Sequence, residues 1–198
     1  MANEASSKTA KPAGKGGKGD PTDLRQPAHY RPDVHRLLPQ SPDAEKGVLC
    51  SYLLDPRQVG GFCAEKQITP AHFHIPAHGE LFGVLQQLWD ANKPIDFIIL
   101  TELLRETQRL DMVGGAAFVT ELFTFLPTAA NLAYYVEIVQ EKHTLREIIK
   151  VCTEYAARSS DPLEAASTLL DDVEGKIFQI AQGRFSAKKA SMTEQLME

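Results

Sequence analysis

Residues 128–184 read TAANLAYYVEIVQEKHTLREIIKVCTEYAARSSDPLEAASTLLDDVEGKIFQIAQGR, and the parsing of that stretch decides the fold. Leu163, Ala166, Leu170, Val173, Ile177 and Ile180 recur at alternating steps of three and four, the a/d seam of a heptad. Upstream, Ile138, Leu145, Ile148, Cys152 and Tyr155 fit the same repeat, with Glu141 as its one defect. Asp161-Pro162 interrupts the pattern, because a proline inside a helix removes a backbone bond. The spacing predicts one long helix up to that break and a second over 163–184, folded back as an antiparallel hairpin. One seam per helix would suffice for such a hairpin, yet Ile149, Val151, Leu169 and Phe178 lie off the seams. A two-helix hairpin cannot cover both sets. These four residues are therefore expected to face a second copy of the chain. Packing against the rest of the same chain is the alternative.

Working upstream, order is expected to begin at LPQSPDAEKGVLCSYLLD, residues 38–55. Ser41 suits a helix N-cap, Pro42 the first helical position, and Asp43 and Glu45 the positive end of the helix dipole. Val48, Leu49, Tyr52 and Leu53 follow at helical spacing. A short helix over about 57–66, a connecting loop ITPAHFHIP and a helix from Pro76 to about 91 come next. Phe97-Ile98-Ile99-Leu100 alone would pass for a buried strand. Leu103 and Leu104 with their charged neighbours extend a helical period, so a helix is expected there. Gly114-Gly115 marks a turn into another helix. The reading is all-α: a compact helical globule over 39–127, a helical hairpin over 128–184, and a linker beginning at 185–198.

Residues 1–38 are rich in Gly, Pro, Lys and Ala and read as a disordered basic tail. The first 40 residues carry seven Lys/Arg against four Asp/Glu, whereas residues 41–185 carry twelve against twenty. An acidic body is a poor nucleic-acid binder by charge, so any contact with phosphates is expected from the tail alone. No apolar run approaches the ~20 residues that span a bilayer, and no export signal is visible at the N-terminus. The three cysteines show no regular spacing. That fits a reducing cytoplasm better than a disulfide framework.

HFHIPAHGELF at 72–82 places His72, His74 and His78 within seven positions, a grouping that a zinc ion favours. His74 and His78 have the i, i+4 separation of helical metal ligands, but Pro76 lies between them. Any zinc site would have to borrow Cys50, Cys63 or a distant carboxylate. The structural alternative has His78 hydrogen-bonding locally at a helix start, with Phe73 and Phe82 as core anchors. No catalytic triad, metalloprotease motif or zinc-ribbon spacing stands out. GKGGKGD in the tail lacks the Lys-Ser/Thr pair of a phosphate loop. Asp171-Asp172 reads as a solvated pair on a helix. No catalytic, metal or cofactor-binding residue is assigned.

Five motifs carry a resemblance. LPQSPDAEKGVLCSYLLDP at 38–56 resembles the opening of the N-terminal domain of bacterial replicative DNA helicases of the DnaB family. Pro39, Ser41, Ala44, Glu45, Val48 and Leu49 match its Pro-x-Ser-x-x-Ala-Glu-x-x-Val-Leu-Gly pattern, with Cys50 in place of the usual glycine. FHIPAHGELF at 73–82 is similar to Phe-Tyr-x-x-x-His-x-x-Ile-Phe through Phe73, His78 and Phe82; His74 replaces the tyrosine and Leu81 the isoleucine. PIDFIILTELL at 94–104, RLDMVGGAAFVTEL at 109–122 and TAANLAYYVEIVQEKHTLREII at 128–149 resemble the next three motifs in the family's order, with Ile99 in a threonine position. Together they cover about 38–184.

The resemblance implies a collar domain on a hexameric ring, with hairpins pairing subunits into dimers, and it implies docking of primase and support for a helicase loader. It also implies that ATP and Mg belong to a C-terminal motor that is absent from this chain, which ends at Glu198 in what would be the linker. The chain is then not itself an enzyme, and meets DNA only in the full assembly. The alternatives are the helicase-binding domain of a primase, similar in fold, and a motorless helical adaptor.

Overall fold

The computed structural model describes residues 38–160 and 164–194, and among them it is all helix, with no strand. Seven α-helices follow in order: α1 (Pro42–Leu54), α2 (Pro56–Glu65), α3 (Pro76–Asp90), α4 (Phe97–Glu106), α5 (Gly115–Phe125), α6 (Leu132–Arg158) and α7 (Ala166–Glu194). A single 3-10 turn, Pro70–His72, interrupts the loop before α3. The tail and the predicted breaker Asp161-Pro162 lie outside the described residues, as does Leu163 of the predicted seam.

The helix starts are chemical. Pro42, Pro56 and Pro76 each occupy the first helical position, where a missing N–H costs nothing. The Asp55 carboxylate caps α2 by accepting from the Gln58 N–H at 3.2 Å, and Asp96 caps α4 through the Ile99 N–H at 2.8 Å. The Asp96 cap, with Leu100 and Leu104 fully buried one turn apart, explains why FIIL is helix and not strand. Ser41 stands at the N-cap of α1 as expected, but its hydroxyl makes no capping bond. Gly114 and Gly115 take φ of 100° and 77°, the left-handed region that glycine enters without steric cost, and so turn the chain into α5.

α1 is the centre of the globule, in contact with α2, α3, α5 and α6. Nine of its thirteen residues are buried. Leu49, Tyr52, Leu81, Phe82, Leu85, Leu100, Leu104 and Leu122 fill the core around it. Phe73 and Phe82 are indeed core anchors, with ring centroids 4.9 Å apart. Gly47 lets α6 approach: a Cβ there would lie 2.8 Å from the Tyr135 ring.

α6 has two halves with different partners. Leu132, Val136 and Val139 belong to the globule's core, so the long helix is rooted in the globule. It begins at Leu132, four residues later than the 128 at which the hairpin was expected to start. Its second half pairs with α7, which continues to Glu194, ten residues past the expected end.

Candidate functional site

Two places gather side chains whose arrangement bears on function: the junction between globule and hairpin, and the outer surface of the hairpin.

At the junction the sequence undersold Glu45. Beyond complementing the helix dipole, it is 2 % exposed. Its carboxylate accepts from the His74 N–H at 2.7 Å, from the Ile75 N–H at 3.3 Å and from the His78 Nδ1–H at 2.8 Å. Burial by itself would raise its pKa, but these hydrogen bonds, His78 first, hold it below the usual carboxylate range. His78 therefore pairs across 33 positions instead of locally at its helix start. Its ring also stacks on Phe118, centroids 5.4 Å apart. From α6, Arg146 donates to the Pro39 carbonyl at 2.9 Å and to the His72 carbonyl at 2.6 Å. The loop before α3 is thus gripped from α1 and from α6.

The three clustered histidines diverge. His72 accepts the Thr69 N–H on Nδ1 at 3.1 Å, and its ring lies 4.3 Å from that of His143. Burial, then the neighbouring His143, pushes its pKa down to about 4. His143 is lowered as well, burial again first. His74 contributes its backbone N–H. Among the described residues no three His, Cys, Asp or Glu side chains are grouped as metal ligands would be. An open cavity of 610 Å³ between α2 and the start of α6 is lined by Leu54, Val59, Phe62 and Ala133, with Asp55 already committed to its cap.

The hairpin is fastened at its tip by Arg158. The guanidinium makes bonds of 2.8–3.0 Å to both oxygens of Glu164, reaches Asp172 at 3.1 Å, and lies 4.9 Å over the Tyr155 ring. Tyr155 is buried and lines a recess facing Asp171, Asp172 and Gly175 of α7. Val151, one turn earlier on the same face, is 6 % exposed.

That corrects the expectation for Val151, which cannot present to a second copy because this chain already buries it. The other three residues of the set stand differently. Ile149 is 41 % exposed and Phe178 61 % exposed, while Leu169 is half-buried. Ile149 and Phe178 are exposed as the sequence predicts, but much of the supposed inner seam is exposed with them. Leu145, Ile148 and Cys152 of the supposed inner seam are exposed, as are Leu170 and Ile177. Leu145, Ile149 and Cys152 follow at i, i+4 and i+7, a single stripe along α6. A heptad states which residues share a face; it does not state whether that face meets the neighbouring helix or the outside.

The family model described as "DnaB-like helicase N terminal domain" matches residues 37–141. The chain is 33% identical over 151 residues to the replicative DNA helicase DnaB of Geobacillus stearothermophilus, covering 76% of this chain and 33% of that helicase. It is 33% identical over 147 residues to the replicative DNA helicase DnaC of Bacillus subtilis, covering 74% and 32%. The chain thus spans about a third of the length of these curated relatives. The crystal structure of the N-terminal domain of DnaB helicase from Mycobacterium tuberculosis superposes with a TM-score of 0.66 at 28% identity, over 73% of this chain and 99% of that one. A structure of a DnaB-like replicative helicase and its interactions with primase shares the fold, with a TM-score of 0.52 at 23% identity over 67% and 30%.

Proposed function

This chain belongs to the DnaB-like helicase N-terminal domain family, and from that premise we propose that it is a collar: a helical module that associates with copies of itself and offers a docking surface to other replication proteins. The observation that carries this reading is the pair of uncovered apolar stripes on the hairpin, Leu145, Ile148 and Ile149 on α6 with Leu170, Ile177 and Phe178 on α7. A patch of that kind, rimmed by charge, marks an interface. Its place on both helices of a protruding hairpin favours a two-fold pairing of hairpins, in which the same patch meets itself. Ile149 and Phe178, with half-buried Leu169 at the margin, are the residues proposed to carry the contact.

Pairs of this kind would build a dimer or a hexameric ring. The partner proposed for the globule is a primase, by analogy with the DnaB-like helicase whose structure concerns its interactions with primase; a helicase loader is proposed as a second partner on the family resemblance alone. The chain is proposed to bind no nucleotide and to catalyse nothing itself, with ATP and Mg acting on a motor domain and DNA met only in the whole assembly. No phosphate-binding loop is present in its 198 residues. Among the described residues no helix is long and apolar enough to cross a membrane, and a cytoplasmic setting is proposed with the replication role.

Titrating a primase's helicase-binding domain into this protein and following the mass of the complex tests the docking half. A complex of defined stoichiometry is expected. Two species that sediment independently at every ratio would remove primase from the proposal.

A further inference from the structure

α7 is barely covered. From Ala166 to Gly183 not one of its residues is buried, whereas α1 buries nine of thirteen. Ordering each residue costs about 1–2 kcal/mol of backbone entropy, and a helix in a protein recovers that mainly by packing an apolar face. Here the apolar side chains Leu170, Ile177 and Phe178 point to solvent.

Two further features weaken the helix. Gly175 and Gly183 lie inside it, each less favourable than alanine by about 1 kcal/mol. A Cβ at either position would meet nothing within 4 Å, so no close approach within the chain requires them. A recess of 360 Å³ also stays open between Glu154, Tyr155 and Arg158 on one side and Asp171 to Gln179 on the other. The bonds that fasten α7 are those from Arg158 to Glu164 and Asp172, at the tip of the hairpin. Among the described residues no hydrogen bond or ion pair joins α6 to α7 beyond Asp172.

A second copy of the chain could cover what is left bare. Leu145, Ile148, Ile149, Leu170, Ile177 and Phe178 are 37, 37, 41, 66, 42 and 61 % exposed; at roughly 180 Å² for a large apolar side chain this is on the order of 500 Å² per copy. A standard interface takes roughly 800 Å² per partner, a little over half of it apolar. The bare stripe therefore supplies the apolar share of one such interface.

We infer that the helical order of α7 beyond its Arg158 anchor is coupled to self-association: residues 173–183 hold their helix against a second copy and fray in the lone chain. This rests on the self-association proposed above. Assembly then carries an ordering cost, which lowers its affinity and makes helix content depend on concentration.

Hydrogen–deuterium exchange on the whole chain tests this, read together with mass, for the natural protein and for the Ile149→Asp/Phe178→Asp double variant. The assembled protein should protect the amides of 173–183. The lone chain should lose that protection by roughly tenfold or more, while Val136 to Gln140 on α6 stay protected in both. Gly175→Ala should restore part of the protection in the lone chain. A lone chain that protects 173–183 as well as the assembly overturns the coupling and leaves self-association standing. A natural protein that is a single chain at every concentration overturns both.

Discussion

The Glu45 carboxylate and the His78 imidazole meet at 2.8 Å although 33 positions separate them, and their side chains are only 2 % and 3 % exposed. The same carboxylate satisfies the N–H groups of His74 and Ile75. One acid on α1 thereby fixes the loop that launches α3, and Arg146 of α6 holds the same loop through the His72 carbonyl while also binding the Pro39 carbonyl just before α1.

Glu45→Ala should therefore be among the most damaging single changes. It strands a buried imidazole and two half-buried N–H groups at once, and a buried polar group left unsatisfied costs about 1–3 kcal/mol. Urea unfolding of the variant should show a lower midpoint with an unchanged slope. Glu45→Gln, which keeps an acceptor, should lose less. A midpoint within error of the natural protein for Glu45→Ala would remove the loop grip from the account.

Stability should fall on the acid side. His72 has its pKa lowered to about 4 by burial and by its neighbours His143 and Arg146, so the unfolded chain takes up this proton first. For a group lowered on folding, stability is full above the unfolded pKa of 6.5 and is lost as pH falls towards about 4. Glu45, also lowered, adds a loss as pH drops through the carboxylate range. His72→Asn retains an acceptor for the Thr69 N–H and cannot titrate, so its urea midpoint should vary less between pH 6.5 and 4. Equal slopes for variant and parent would assign the acid loss elsewhere.

The two faces of α6 predict opposite phenotypes for neighbouring residues. Val151→Asp puts a charge at a position that this chain buries, one turn before Tyr155 on the same face of α6. It should loosen the hairpin even in the lone chain, seen as lost helical ellipticity, by about 2–4 kcal/mol of local stability. Ile149→Asp, on the exposed stripe, should leave the unfolding midpoint of the globule in place. Identical circular dichroism and thermal profiles for the two variants would mean that α6 does not present the faces described.

These contrasts show what was legible in the chain. The starts of α1 and α3 were, because Pro42 and Pro76 act within a single turn, the range at which a sequence can be read; the Asp55 and Asp96 caps emerge only in the structure. The class of the FIIL segment followed from Leu103 and Leu104 for the same reason. The inner and outer faces of the hairpin were not. Val151 and Ile149 are both apolar, and only the rotation of α6 on the globule, where Leu132, Val136 and Val139 are rooted, decides which of them is buried. Glu45 was matched as a motif residue, but its buried role depends on a partner 33 positions away, which no local rule reaches.

The central claim is that the bare stripe of the hairpin joins copies of this chain. Light scattering over a tenfold range of concentration tests it most directly, on the natural protein and on Ile149→Asp and Phe178→Asp. The natural protein should show at least twice the chain mass of 21.9 kDa. Both variants should fall towards a single chain with their globules still folded. A natural protein that stays at the mass of one chain throughout, or variants that keep the full assembled mass, would contradict the account.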